Sequence, residues 1–283
     1  MNLCLKTISA LAVALVLICP VKSQALKFHS DMNSIKIEAQ PGQVVTRAYH
    51  LTLDKGEKKT QFKAHLEDWW RSEDGKQSFY RPAGSIKHSC ASWITLNPAE
   101  AAIGPGETLT VRISTVVPAD IKSGGYWCAL TVDEVADPLK TAPQGVGVVF
   151  TASVSVGIFI SITPVDRNAK ILQLSGNGTD TELKVVNEGN CPLGIEGRIE
   201  FYAPSDTTKP IATVKLARTT VLPEPINTII ITAPLPETAQ LPNGKYLVRA
   251  VLDIGLTHYI GAQKTMDIVH GTSGIQPEAG KGR

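Results

Sequence analysis

The sequence is poor in the residues that most chemistry needs. Its 283 residues include 6 histidines, 5 cysteines and 3 methionines. The histidines (29, 50, 65, 88, 258 and 270) are scattered, and no cysteine or histidine pair stands at a zinc-ligand spacing. There is no GxSxG turn to expose a nucleophile, no HExxH helix and no glycine loop that would cradle a phosphate. We therefore expect no enzyme, no metal and no cofactor. Charge is scarce as well: 19% of residues are charged, and the formal net charge is +2. Lys6 and Lys22 account for that excess, because residues 1–25 hold no acid. A neutral body argues against electrostatic capture of nucleic acid. Beyond the N-terminal segment no apolar run approaches the 18 or so residues of a membrane-spanning helix, and no segment carries a sustained helical period.

The N-terminal segment has the layout of an export signal. Lys6 precedes an apolar stretch from Ile8 to Cys19, Pro20 ends it, and Ser23-Gln24-Ala25 offers small residues for cleavage after Ala25. The expected address is the periplasm or the extracellular space. Cleavage would remove Cys4 and Cys19 and leave Cys90, Cys128 and Cys191 in an oxidising compartment. Two readings stay open: a Cys90–Cys128 disulfide with Cys191 free, or three buried thiols. The shared domain of Cys90 and Cys128 favours the first.

From Ser34 onward apolar and polar residues alternate with period two, and turn residues interrupt them. The pattern predicts strands at Ser34–Ala39, Val44–Leu53, Gln61–Trp70, Ser92–Leu96, Thr108–Val117, Tyr126–Val135 and Val146–Ile162. Thr163-Pro164 makes a short link. Seven more strands are predicted at Leu172–Leu174, Glu182–Val186, Gly194–Tyr202, Ala212–Leu216, Thr228–Thr232, Tyr246–Leu252 and Tyr259–Ile268. Seven short strands with Pro-Gly and Gly-Gly turns suit a two-sheet sandwich. The expected fold is all-β: two consecutive immunoglobulin-like β-sandwich domains at residues 26–163 and 164–269, behind a signal at 1–25. The Gly- and Pro-containing residues 270–283 are expected to be a disordered tail.

Two features offer binding. Trp69, Trp70, Phe79 and Tyr80 gather four aromatics around a Glu73-Asp74-Gly75-Lys76 turn. Adjacent tryptophans on a strand face opposite ways, so one is expected in the core and the other partly exposed, where it could touch a glycan or a protein. The second feature is the strand Val146–Ile162. At about 3.3 Å per residue it would run roughly 56 Å, longer than one sheet needs. It reads either as a paired interior strand or as an edge to which an extended partner adds itself.

The run Ser92-Trp93-Ile94-Thr95-Leu96-Asn97-Pro98, then Pro105-Gly106-Glu107, Val117-Pro118, Gly124-Gly125-Tyr126 and the very long strand resembles the periplasmic pilus-assembly chaperones. The spacing is also similar to other exported Ig-like domains of bacterial surface proteins. The chaperone resemblance implies a final first-domain strand that completes an unfinished subunit, with Val148, Phe150, Ala152, Val154 and Val156 as client-binding residues. The partner it implies is a pilus or surface subunit, bound by strand addition. The family's carboxylate-anchoring Arg and Lys are not matched: Lys36 is the base nearest the first place, and Phe159 stands at the second. The alternative is a structural or adhesive Ig-like surface protein that touches glycans near Trp69. Neither reading fixes an oligomeric state.

Overall fold

The computed structural model describes residues 26–135, 151–176 and 178–270. The expected signal, Val146–Phe150 of the long strand and residues 271–283 of the expected tail lie outside the described residues. Apart from one 3-10 turn, the regular structure of the described residues is strand, arranged as two consecutive immunoglobulin-like β-sandwiches.

In the first sandwich, one sheet has the order β1 (Phe28–Ser30), β3 (Val44–Leu53), β8 (Thr108–Val116) and β6 (Ile94–Asn97). The facing sheet runs β2 (Ser34–Ala39), β10 (Ser153–Ile162), β9 (Gly124–Glu134), β4 (Thr60–Arg71) and β5 (Ser78–Pro82), with β7 (Glu100–Ile103) also pairing β4. The period-two pattern sends Ile35, Ile37, Phe62, Leu130, Ile158 and Ile160 inward against Tyr49, Leu51, Val111 and Ile113 of the opposite sheet. Each such side chain contributes roughly 1.5–3 kcal/mol on full burial. Strands β1, β5 and β7 escaped the sequence reading, being three to five residues long with little alternation. The start of the predicted Ser92–Leu96 strand is instead a 3-10 turn at Ala91–Trp93.

The second sandwich packs β11 (Ala169–Gly176), β12 (Asp180–Asn187) and β15 (Thr228–Pro234) against the sheet β14 (Ala212–Val221), β13 (Leu193–Tyr202), β16 (Gly244–Asp253) and β17 (Ile260–Ile268). Its own core centres on Leu183, Val185, Ile199, Phe201, Val248 and Leu252.

Cys90 and Cys128 are both fully buried in the first core, with sulfurs 3.2 Å apart. That exceeds the about 2.05 Å of a disulfide, so both are thiols here, as is Cys191. The expected bond is not formed in this structure.

The two sandwiches dock through several unlike contacts. At the start of β9, the Gly125 N–H donates to the Asn190 carbonyl at 2.8 Å. A Cβ at Gly125 would meet Pro192 Cδ at 2.5 Å, so the approach requires glycine. His88 Nδ1 meets Glu224 Oε1 at 2.5 Å, and the imidazole stacks on Trp127. The turn between β4 and β5 reaches furthest. Its Glu73 carbonyl accepts from the Ile230 N–H at 2.7 Å, and its carboxylate accepts from Lys184 Nζ and Thr228 Oγ1, each at 2.7 Å.

Those two side-chain donors, Lys184 first and then Thr228, hold the Glu73 carboxyl below its ordinary range. A carboxyl harder to protonate when docked than when free stabilises the docked state fully above about pH 4.3. That contribution is lost as pH falls through the lower, docked value. We expect acid to loosen the two sandwiches, read by fluorescence energy transfer between dyes placed one on each. The Glu73→Gln difference curve should show less acid dependence below pH ~4 than the parent. Superimposable curves would assign the brace to other groups.

Candidate functional site

β10 is bordered differently along its length. Its whole course, Ser153 to Ile162, pairs antiparallel with β9. On its other side β2 pairs parallel with it only from Gly157 to Ile162. Residues 153–156 therefore have one strand neighbour among the described residues. The Glu134 N–H donates to the Ala152 carbonyl at 2.8 Å, which fixes the parity. Backbone groups of 152, 154 and 156 point to β9, and those of Ser153 and Ser155 point to the unpaired side. The long strand is thus an interior strand over its second half and an edge over the described part of its first.

The expected client-binding residues divide accordingly. Val148 and Phe150 lie outside the described residues. Ala152 and Val154 are half-buried, with Val154 packed against the first core. Phe62 sits opposite Glu134, whose N–H donates to Ala152, and the Phe28 ring meets the buried Phe62 edge-on at 6.4 Å, so the apolar core reaches this level of the strand. Val156 corrects the expectation. It is 2% exposed and belongs to the core, because the facing sheet covers the strand's inner face there.

The four aromatics do not form one surface. Trp69 pairs with Tyr80 and Trp70 with Phe79, so strand alternation puts each pair on its own face. Trp69 is 7% exposed and joins Trp127, Ala129 and Leu222 in a small apolar cluster that bridges the two sandwiches. Its indole N–H donates to the Cys128 carbonyl, and the Trp127 indole donates to the Trp69 carbonyl. Trp69 nevertheless lines a cleft between the sandwiches, offering it only a small part of its ring. Trp70 is half-buried, stacked on Phe79 at 5.7 Å with the Arg81 guanidinium over its ring. Tyr80 is 39% exposed.

The outer face of the six-stranded sheet and strands β13 and β14 of the second sandwich enclose a cleft of about 840 Å³. Phe159 and Lys36, directly opposite in the β10–β2 register, line its floor. Phe159 is an apolar residue on the strand's outer face, and its ring packs edge-on against Trp69 at 6.0 Å. Gly157 leaves the space: a Cβ there would lie 2.8 Å from the Phe159 ring. Positive charge comes from places the sequence reading missed, namely Arg71 at the end of β4, Arg167 in the connection and Arg218 on β14. Arg218 is paired with Glu196 at 3.1 Å. Arg71 lies over the Trp69 ring and leaves its buried Nε without a partner. Lys36 and Arg167 have no carboxylate at ion-pair distance among the described residues. Arg71 was findable, since it shares the face of Trp69. Arg167 and Arg218 enter the cleft only because the sandwiches dock.

Gly157→Ala is expected to push the Phe159 ring off Trp69 and to destabilise the first sandwich by about 1–2 kcal/mol, as overpacking does. A urea midpoint followed by tryptophan fluorescence checks it. An unchanged midpoint and spectrum would mean the ring has room to move.

No family model matches the sequence, and no curated protein matches it either. Solved structures that match include the class 5 fimbriae chaperone CfaA, at 13% identity and a TM-score of 0.46, over 84% of this chain and 99% of that one. The CsuC–CsuE chaperone–tip adhesion subunit pre-assembly complex of Acinetobacter baumannii matches at 18% identity and 0.45, over 87% and 100% of the two chains. The Salmonella enterica SafA pilin–SafB chaperone complex matches at 10% and 0.44, over 85% and 97%.

Proposed function

We propose that this chain is an exported, non-enzymatic, chaperone-like protein that binds an extended segment of a pilus or surface subunit by strand addition. The observation that carries the reading is the uneven border of β10. An extended segment beside Ser153 and Ser155 would satisfy their outward N–H and C=O groups and continue the lane that β2 occupies further on. Its inward side chains would pack on the partly buried Val154 and Phe28 at the border of the first core. Ala152 and Val154 are the described contact residues; Val148 and Phe150, on the preceding stretch, extend the proposal. The resemblance in turn and strand pattern supplies the class of partner.

The cleft at the far end of the same strand fits the partner's terminal carboxylate. Lys36 beside Phe159 offers an unpaired ammonium, and Arg167 adds charge across the opening. A charge-assisted bond of this kind contributes about 1.5–3 kcal/mol.

Co-expression with a candidate pilus or surface subunit, followed by affinity capture and thermal melts, tests both ends. Val154→Asp should keep the melt within a few degrees and abolish capture. Ile160→Asp places an unpaired charge at a fully buried site and should unfold the first sandwich. Capture by folded Val154→Asp at the parental level would overturn the strand-addition reading. Lys36→Ala should weaken binding of the same subunit about tenfold or more and flatten its salt dependence. An unchanged affinity would remove the carboxylate from the account and leave the strand.

A further inference from the structure

We infer that Cys90 and Cys128 form a disulfide site that closes while the first sandwich is still open, by exchange with a protein or small-molecule disulfide met on export. The geometry supplies the pairing. Their sulfurs are already in contact at 3.2 Å, whereas Cys191 belongs to the core of the other sandwich. Burial supplies the timing. Both side chains have no exposed surface, and Cys128 lies in the middle of β9, facing Ile158 across the pair with β10. A mixed disulfide with the oxidant has no room there. Burial first, and then the neighbouring thiol, also push the Cys90 thiol well above its ordinary pKa, so its own thiolate is scarce once the core has closed.

In the open chain the exchange balances. One cysteine thiolate attacks the oxidant's S–S bond and releases one thiolate. The second cysteine, on losing its proton, attacks the mixed disulfide and releases the other. Two cysteine sulfurs are oxidised, one S–S bond forms for the one broken, and the oxidant leaves as two thiols that carry the protons.

The bond ties a particular loop to the central strand. Asp68, fully buried, already accepts from the Ser85 and Ile86 N–H groups and the Ser89 hydroxyl. Cys90 follows directly, and its N–H donates to the Trp127 carbonyl. The same loop carries His88, which meets Glu224 of the second sandwich. A covalent link at Cys90 therefore fixes one wall of the docking between the sandwiches. This inference is independent of any client.

The test refolds the full chain from reduced, guanidinium-unfolded protein. Oxidised glutathione is present from the start in one arm and added after folding in the other. Non-reducing mass mapping should find Cys90 joined to Cys128 in the first arm. In the second, the pair should stay reduced, resist iodoacetamide and oxidise at least about a hundredfold more slowly than in the unfolded chain. Cys191→Ala, run in parallel, should behave the same in both arms. No link in the first arm, a link to Cys191, or oxidation of the folded chain as fast as the unfolded one would overturn the inference.

Discussion

The antiparallel pairing of β10 with β9 is the constraint from which the other features follow. One register, Ser153 opposite Asp133 through to Ile162 opposite Gly124, sends Val156, Ile158, Ile160 and Ile162 into the first core. By the same alternation Gly157 and Phe159 face outward toward the second sandwich, and Ser153 and Ser155 turn their backbones to the open lane. A slip of one residue would exchange the two faces, burying serines and exposing isoleucines. Seven inward aliphatic positions, Val154, Val156, Ile158, Ile160 and Ile162 of β10 with Leu130 and Val132 of β9, oppose that slip, so core, cleft and edge are fixed together.

The docking of the sandwiches is a different kind of contact. It combines a glycine approach at Gly125, a small cluster around Trp69, Trp127 and Leu222, and polar bridges from Glu73 and His88. The partners are few and dissimilar: Glu73 and His88 come from turns and loops, Gly125 and Trp127 from strand β9 and Trp69 from strand β4. Such an interface holds a cleft at a set width through specific contacts instead of through a large apolar area. That is why a single carboxyl such as Glu73, or a hydrogen in place of a methyl at Gly125, bears on it.

Much of the fold was legible because alternation reports burial directly. The spans of β2 and β3 follow from it without adjustment, and Val44 to Leu53 shows why: Val45, Tyr49, Leu51 and Leu53 are buried at odd positions. Short β1, β5 and β7 carry too few residues to show a period. They exist because neighbours offer unpaired backbone, as β4 does to Ser78–Pro82. The site was legible on one side only. Pattern marks which residues of β10 face inward, but whether an inward residue is covered depends on the opposite sheet. Val156 looks like Val154 in sequence and differs in that cover alone. Charge in the cleft was still less visible, since Arg167 and Arg218 lie 131 and 182 positions beyond Lys36 in the chain.

Phe159 joins these levels. In an isolated sandwich an aromatic on the polar face of a strand would be an exposed apolar surface, costly and prone to association. Here the missing side chain of Gly157 lets the ring lie down, Trp69 covers its edge, and the second sandwich roofs both. A lysine at that place would stand in the cleft as a second charge beside Lys36. With phenylalanine the floor is apolar, and positive charge has to come from the walls, from the connection at Arg167 and from β14 at Arg218. On the proposed reading, a ligand carboxylate that met Lys36 would be gripped between sandwiches rather than by one strand pair, and its binding would depend on the docking that Gly125, Glu73 and the Cys90 loop maintain.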